Sequence, residues 1–321
     1  MKRFVLFIIV IITVSAGIFG TLSEGHIGIY IQNTDPLISI IILASILVGT
    51  SFIFGCISGD YSWVDRLWSM APVAFAWIYA ISAKMAPQTL MAALLITIWG
   101  VRLTFNFARK GGYSGTEDYR WAILRKKITK PVFWQLFHFF FICCYQIGLF
   151  VLFTSPLYLL YRHTDRPVTA SFVIPMCCFF FFLVFETIAD QQQWNFHRAK
   201  KRMNDIRFQM ETDTNQDADG KRHKLENDIR QGFLSSGLFH FSRHPNYFGE
   251  IMQWWCLFIA GIFSAGSVVN WTWLGPMLLT LLFIGSTRFT ESISAQKYPG
   301  YTHYQQTTSA IIPFPPSRKK S

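Results

Sequence analysis

The sequence predicts an all-α protein, a polytopic transmembrane helical bundle of about eight spans with both termini on the cytoplasmic side. The first observation is composition, because 51% of the 321 residues are hydrophobic and only 15% are charged. The apolar residues form near-uncharged stretches of about 17–22 residues, a length that crosses a bilayer as a helix. The second observation is charge distribution: 25 of the 29 Lys and Arg residues fall on one side of the predicted bundle, as the positive-inside rule requires. The net charge of +11 therefore reflects topology and does not indicate nucleic-acid binding.

Eight apolar stretches are predicted to span the membrane: Phe4–Gly20, Ile38–Ile57, Trp68–Met85, Leu90–Phe107, Val132–Leu152, Phe172–Ala189, Tyr247–Ala265 and Thr272–Thr287. The first has a short basic start, as a secretory signal does, but no small-x-small cleavage site precedes a soluble domain. We therefore expect a retained helix there. We expect the protein in the bacterial inner membrane or in the endoplasmic reticulum, depending on the organism.

The chain is predicted to form a single integral membrane domain over residues 1–321, with a cytosolic loop at about 191–243. The middle of this loop, Glu211 to Asn227, is rich in Asp, Asn, Thr and Lys and is expected to be flexible. All six cysteines lie in apolar stretches without a C-x-x-C pattern. The sequence therefore predicts neither a disulfide framework nor a metal site.

The segment Ser242–Glu250 places polar residues at the start of an apolar helix. Pro245 suits the first helical position, so Asn246, Glu250 and Gln253 fall on one helix face at i, i+4 and i+7. A charged side chain that faces lipid near the bilayer centre costs roughly 2.5–3.5 kcal/mol. We therefore expect this face to line a protein cavity that opens to water.

A second polar stripe ends the sixth predicted span. It comprises Glu186, Asp190, Gln193 and His197, at spacings of 4, 3 and 4. Four cations follow it: Arg198, Lys200, Lys201 and Arg202. This order suits an elongated ligand with a hydroxyl- and amide-bearing end inserted and phosphates near water. Two alternatives stay open: the cations meet anionic lipid at an interfacial helix end, and the two acids form structural ion pairs with Arg102 or Arg243.

Several motifs resemble the C-terminal region of the steroid 5-alpha-reductase superfamily. They are Gly237-Leu238-Phe239, Arg243-His244-Pro245-Asn246-Tyr247, Gly249-Glu250, Tyr298-Pro299 and Ile312-Pro313-Phe314. Further elements are similar to the bacterial and protist membrane branch of that superfamily: Asp65-x-x-Trp68, Trp99-Gly100-x-Arg102-Leu103, Glu117-Asp118-x-Arg120 and Glu186-x-x-x-Asp190-Gln191. The resemblance covers residues 60 to 314. Membrane methyltransferases for isoprenylcysteine or phospholipids share the Arg-His-Pro-x-Tyr core.

The resemblance implies a membrane reductase that takes a hydride from NADPH and saturates a carbon–carbon double bond conjugated to a carbonyl, in a steroid-like or other lipid. Position by position, Asn246, Glu250 and Asp190 match cofactor-binding residues, and Arg230 corresponds to an Arg before Gly-Leu-Phe. The full predicted cofactor-binding set is Glu186, Asp190, Gln193, Arg230, Arg243, Asn246, Glu250 and Tyr298. No G-x-G-x-x-G turn follows a strand, so a Rossmann site is not expected.

His244 and Tyr247 are the predicted catalytic residues, with His244 orienting the nicotinamide amide or bonding a backbone carbonyl. Tyr298 is expected either to cover the adenine end or to anchor at the headgroup level.

One departure from the superfamily concerns the substrate carbonyl, which animal steroid reductases polarise with a Tyr and a Glu. Trp99 stands where that Tyr falls, and an indole cannot donate a proton as a phenol does. Candidates for the missing acid are Asp60, Asp65, Tyr119 and His138. Two other functions stay open: a methyltransferase that uses S-adenosylmethionine, and a non-catalytic membrane protein or transporter. The expected partners are a lipid or sterol-like substrate within the membrane and the membrane lipids, with no nucleic acid and an open oligomeric state.

Overall fold

The computed structural model describes residues 31, 34–114, 117–209 and 220–317. The predicted span Phe4–Gly20 lies outside these residues. Within them every regular element is a helix, apart from an isolated parallel bridge between Ser242 and Ser309. The contacts divide the described residues into two compact units: one runs to Phe179 and includes Trp254–Leu279, and the other comprises Phe180–Gln253 and the chain from Thr280 on. The single-domain prediction stays a prediction.

The first unit contains six complete helices: α1 Pro36–Ser58, α2 Ala71–Ser82, α3 Pro87–Arg109, α4 Tyr119–Lys127, α5 Pro131–Thr154 and α6 Pro156–Arg162. A proline in the first turn begins five of them, where its missing N–H costs nothing. Asp35 caps α1 by accepting from the Leu37 N–H at 2.8 Å, and Asp118 caps α4 in the same way. Gly59 ends α1 in the left-handed conformation.

Three helices are divided between the two units: α7 Ala170–Gln209, α9 Pro245–Ala265 and α10 Leu274–Lys297. The second unit contains the C-terminal parts of α7 and α10 and the N-terminal part of α9. It also contains two whole helices, α8 Gly220–Gln231 and α11 Tyr301–Thr307. The predicted cytosolic loop at 191–243 is partly helical, because α7 continues through its first residues and α8 occupies 220–231; its cytosolic placement stays a prediction. Gln, Lys, Arg and Ala in that stretch are good helix formers. Their polarity therefore marks where the lipid-facing sequence ends and not where the helix ends.

Five of the described helices are long and apolar enough to cross a membrane: Pro36–Ser58, Pro87–Arg109, Pro131–Thr154, Ala170–Met203 and Pro245–Ala265. The predicted span Trp68–Met85 is shorter than expected. Its helix, α2, has 12 residues and is only about 18 Å long. Lys84 and Met85 adopt positive φ angles of 50° and 60°, which end α2 before Pro87 begins α3.

The C-terminal segment of the second unit is fixed against the start of α9. The Arg243 N–H donates to the Ser309 carbonyl at 2.9 Å, the His244 N–H to Ala310 at 3.0 Å, and the Phe314 N–H to Phe241 at 2.9 Å. The Tyr304 hydroxyl donates to the Phe239 carbonyl, and its ring stacks on Phe233. The Gly-Leu-Phe and Ile-Pro-Phe motifs therefore have a structural role in holding the tail.

Candidate functional site

A close approach of two helices in the second unit builds the candidate site. At Gly249 of α9, an added Cβ would lie 2.8 Å from the Cβ of Glu186 on α7 and 3.1 Å from the Phe182 carbonyl. No side chain fits there, so glycine lets the two helix backbones come together. Across this contact, the Gln253 amide donates to Glu186 Oε2 at 2.7 Å and to the Gly249 carbonyl at 3.1 Å.

Four of the predicted cofactor-binding residues lie on the two helices at this approach. Glu186, Asp190 and Glu250 are all buried, and the Asn246 amide donates to Asp190 Oδ1 at 3.4 Å. Helical spacing places Asn246, Glu250 and Gln253 on one face of α9. A polar face inside an apolar helical bundle is a candidate ligand site.

Gln253 adds an acceptor that the predicted set omitted. Its side chain is fully buried, and both of its amide N–H groups have acceptors. Within the described part of the chain, its Oε1 has no hydrogen-bond donor. A buried acceptor without a donor costs about 1–3 kcal/mol, so this oxygen suits a ligand N–H or O–H.

A buried ionic network surrounds Arg243 and centres on Glu291 of α10. Arg243 donates to Glu291 from Nε at 2.6 Å and from Nη2 at 2.9 Å, which is the bidentate geometry of a strong ion pair. Its Nη1 donates to the carbonyls of Gln305 and Thr308. His244 Nε2 lies 3.0 Å from Glu291 Oε1, and the Gln305 amide donates to Oε2 at 2.9 Å.

Burial raises the pKa of the Glu291 carboxyl, but hydrogen bonds from His244, Arg243 and Gln305 outweigh it and lower the pKa to about 2. The carboxylate is therefore ionised at neutral pH. The prediction missed Glu291, whose one local signal is a single acid beyond the apolar part of α10. Because protein oxygens occupy all three nitrogens of Arg243, its contacts are those of a structural residue; its cofactor role stays a prediction.

The predicted catalytic pair is ordered by this network. The His244 ring stacks on Tyr247 with centroids 5.0 Å apart and planes 17° from parallel. Tyr247 in turn packs against Phe283 at 4.7 Å. Glu291 fixes one ring nitrogen of His244, so the position of its other nitrogen is set as well.

The cations that follow the acidic stripe divide into bound and exposed groups. Lys200 donates to the Gly232 carbonyl at 2.6 Å and to the Tyr298 hydroxyl at 3.1 Å. Burial opposes ionisation of Tyr298, but the Lys200 and Lys297 ammonium groups lower its pKa. Lys201 and Arg202 are exposed, as is the predicted Arg230, whereas Gln193 is half-buried.

The motif residues of the first unit hold its connecting segments in place. Asp65 accepts from Trp121 Nε1 at 2.6 Å, and burial raises the pKa of its carboxyl to about 6. Trp68 Nε1 donates to Gln146 at 2.8 Å. Trp99 is buried and packs edge-on against Trp254 at 5.0 Å.

The candidates for the acid that would polarise a substrate carbonyl all lie in the first unit. Asp60 pairs with Arg66 at 2.6 Å, and His138 is buried against Tyr61, with ring centroids 4.6 Å apart. The side chain of Tyr119 lies outside the described part of the structure. Among the residues that are described, no group of three His, Cys, Asp or Glu side chains is arranged to hold a metal ion.

Residues 51–308 match the family described as "Protein of unknown function (DUF1295)". An uncharacterized protein of Schizosaccharomyces pombe is 36% identical over 293 residues, which cover 88% of this chain and 81% of that protein. No solved structure matches the chain significantly.

Proposed function

The chain belongs to the DUF1295 family, and we propose that it is a membrane reductase that uses NADPH to saturate a carbon–carbon double bond conjugated to a carbonyl in a steroid-like or other lipid. The observation that carries the proposal is the polar face in the second unit on which the acids Glu186, Asp190 and Glu250 are buried and Asn246 donates to Asp190. The motif resemblance to steroid 5-alpha-reductases supports the same assignment, since it falls on these residues.

The residues of this face fit the donors and acceptors of a dinucleotide. Carboxylates accept hydrogen bonds from ribose hydroxyls, and the unpartnered Oε1 of Gln253 accepts from a carboxamide N–H. Exposed Lys201 lies eleven residues beyond Asp190 on the same helix, or about 16 Å along its axis. It therefore stands with Arg202 at the far end of an elongated ligand, where a 2′-phosphate needs cations.

Bound NADPH would supply the hydride, and the chain's own part is to bind, align and exclude water. His244 and Tyr247 are the proposed catalytic residues. The Glu291 carboxylate favours a proton on His244 Nε2, because an ionised carboxylate accepts only. The Tyr247 ring stacks on the His244 ring, and its phenol hydroxyl can both donate and accept a hydrogen bond.

The proposed topology has eight spans with the N-terminus and C-terminus in the cytoplasm, in the bacterial inner membrane or the endoplasmic reticulum. The five long apolar helices support membrane insertion. The distribution of Lys and Arg supports the orientation, because 25 of 29 fall on the cytoplasmic side of that arrangement.

Titration of the detergent-purified protein with nucleotides tests the proposal. We expect NADPH to bind more tightly than NADH and Glu250→Ala to weaken NADPH binding by at least about tenfold, because a buried partner loses its acceptor. Alanine at Lys201 or Arg202 should reduce the preference for the phosphate. Asp165→Ala, which removes an exposed acid, is the matched control.

Binding is read by calorimetry or nicotinamide fluorescence. Absence of NADPH binding would refute the cofactor assignment. Binding of S-adenosylmethionine in its place would favour the methyltransferase that shares the Arg-His-Pro-x-Tyr core.

A further inference from the structure

A buried arginine in the first unit has donors without an acceptor. Arg66 lies in the turn between α1 and α2 and is only 2% exposed. Its Nη2 donates to Asp60 Oδ2 at 2.6 Å, and its Nε donates to the Gly112 carbonyl at 3.3 Å. Within the described residues its Nη1 is buried and has no partner. Two N–H groups of a charged side chain are thus desolvated without a hydrogen bond, which is costly.

The Tyr113 hydroxyl lies near the Arg66 guanidinium and belongs to a group of neutral hydroxyls. Ser69 and Thr104 share a hydrogen bond of 2.6 Å. Burial raises the pKa of the Tyr113 hydroxyl, whereas hydrogen bonding with Ser69 and Thr104 and the charge of Arg66 act in the other direction. The surroundings of Arg66 are therefore polar. They lie close to the protein surface, because Gly112 and Tyr113 are only half-buried.

The charge of Arg66 decides which acceptor suits it. Asp60 already offsets that charge at contact distance. A second full anion would be desolvated next to a neutral ion pair, and the loss of its hydration would exceed the gain. A carbonyl oxygen has two lone pairs and no charge to desolvate. It can accept a hydrogen bond from Nη1 without this cost.

The position of Arg66 indicates where the carbonyl comes from. The residue follows the end of α1, and its partner Gly112 follows the end of α3. Both helices are long and apolar enough to cross a membrane. Their ends lie at the boundary between hydrocarbon and headgroups, which is the depth of the ester carbonyls of membrane lipids. Trp63, stacked 4.7 Å from the guanidinium, is a residue type enriched at this depth.

We propose that Arg66 Nη1 binds a carbonyl oxygen of an ester-linked membrane lipid at a site in the first unit, separate from the nucleotide face. Arg66 is the binding residue, and Asp60 holds its guanidinium in position. Its ligand is the ester carbonyl of a bulk membrane lipid and not the nucleotide, so the proposal does not rest on the proposed cofactor.

Two phosphatidylcholines with the same headgroup and chain length, one diacyl and one dialkyl ether, test the proposal. Lipid binding to the full chain in detergent is measured by native mass spectrometry across a concentration series. We expect the ester lipid to bind at least about tenfold more tightly than the ether lipid, because a hydrogen bond to a charged group is lost in the ether.

Arg66→Lys should abolish the preference while keeping a cation for Asp60. Arg125→Lys, which alters an arginine that is 41% exposed in its ion pair, should leave the preference unchanged. Circular dichroism verifies folding of both variants.

Equal binding of the two lipids by the unchanged protein would overturn the proposal and assign Nη1 to water. This comparison needs no variant, so it decides the question even if Arg66→Lys fails to fold. An ester preference that persists in a folded Arg66→Lys protein would also overturn it. Neither result bears on NADPH binding.

Discussion

Glu291→Gln is expected to destabilise the protein by about 3 kcal/mol at neutral pH. The substitution keeps the shape of the side chain but removes the charge that faces Arg243, whose guanidinium is 9% exposed. Removing one partner of a buried ion pair typically costs about 3–5 kcal/mol. The pKa gives a second measure: a shift from the ordinary 4.5 to about 2 corresponds to about 3 kcal/mol in favour of the ionised form. The two estimates agree.

The effect should depend on pH in a defined direction. The folded-state pKa of Glu291 is lowered, so its contribution is fully present above the ordinary value of 4.5 and is lost as the pH falls towards about 2. Thermal unfolding in detergent should therefore show a gap between the unchanged protein and Glu291→Gln that is constant above about pH 5 and narrows below it.

The matched control is Glu117→Gln in the first unit. Glu117 pairs with Arg125 at 2.5 Å, but that arginine is 41% exposed, and such pairs contribute about 0–1 kcal/mol. If Glu291→Gln costs no more than Glu117→Gln, the network does not stabilise the fold. A gap that widens on acidification would contradict the assignment of the lowered pKa.

Two further predictions concern the helix contact and the topology. Gly249→Ala should lower the free energy of unfolding by about 1–3 kcal/mol and weaken nucleotide binding, because its Cβ would lie 2.8 Å from that of Glu186. Gly285→Ala is the control, since an added Cβ there meets nothing within 4 Å. It should leave the thermal stability unchanged or raise it. Tags at Ser321 and His163 should report opposite sides of the membrane, with Ser321 cytoplasmic, in a protease-accessibility assay; tags on the same side would refute the eight-span arrangement.

Apolar length predicted the long helices well. Ile38–Ile57 was expected and α1 covers Pro36–Ser58; Leu90–Phe107 was expected and α3 covers Pro87–Arg109. Most of the extra residues at the ends are prolines or polar residues, such as Pro36, Ser58, Pro87 and Arg109, which hydropathy does not detect. The early end of α2 depends on positive φ at Lys84, a residue type that gives no local signal for that conformation.

Helical spacing predicted two polar faces that avoid lipid, one on α7 and one on α9. A hydrogen bond joins these faces between Asp190 and Asn246, which lie 56 residues apart. The partner of Arg243 could not be found in this way. Glu291, 48 residues away, is a lone acid on α10, and nothing in its local pattern distinguishes a buried ion-pair partner from a solvated residue.

The structure divides the segment Arg243–Glu250 into two parts with different roles. Arg243 and His244 bind Glu291 and the C-terminal tail, and any protein that must hold such a tail can use these contacts whatever its ligand. Asn246 and Glu250 lie on the face that meets α7, where we propose that the buried acids select the ligand. This division gives a physical reason why reductases and methyltransferases can share the Arg-His-Pro-x-Tyr core. The prediction of NADPH therefore depends on the second part, and substitutions there are the ones that discriminate between the two functions.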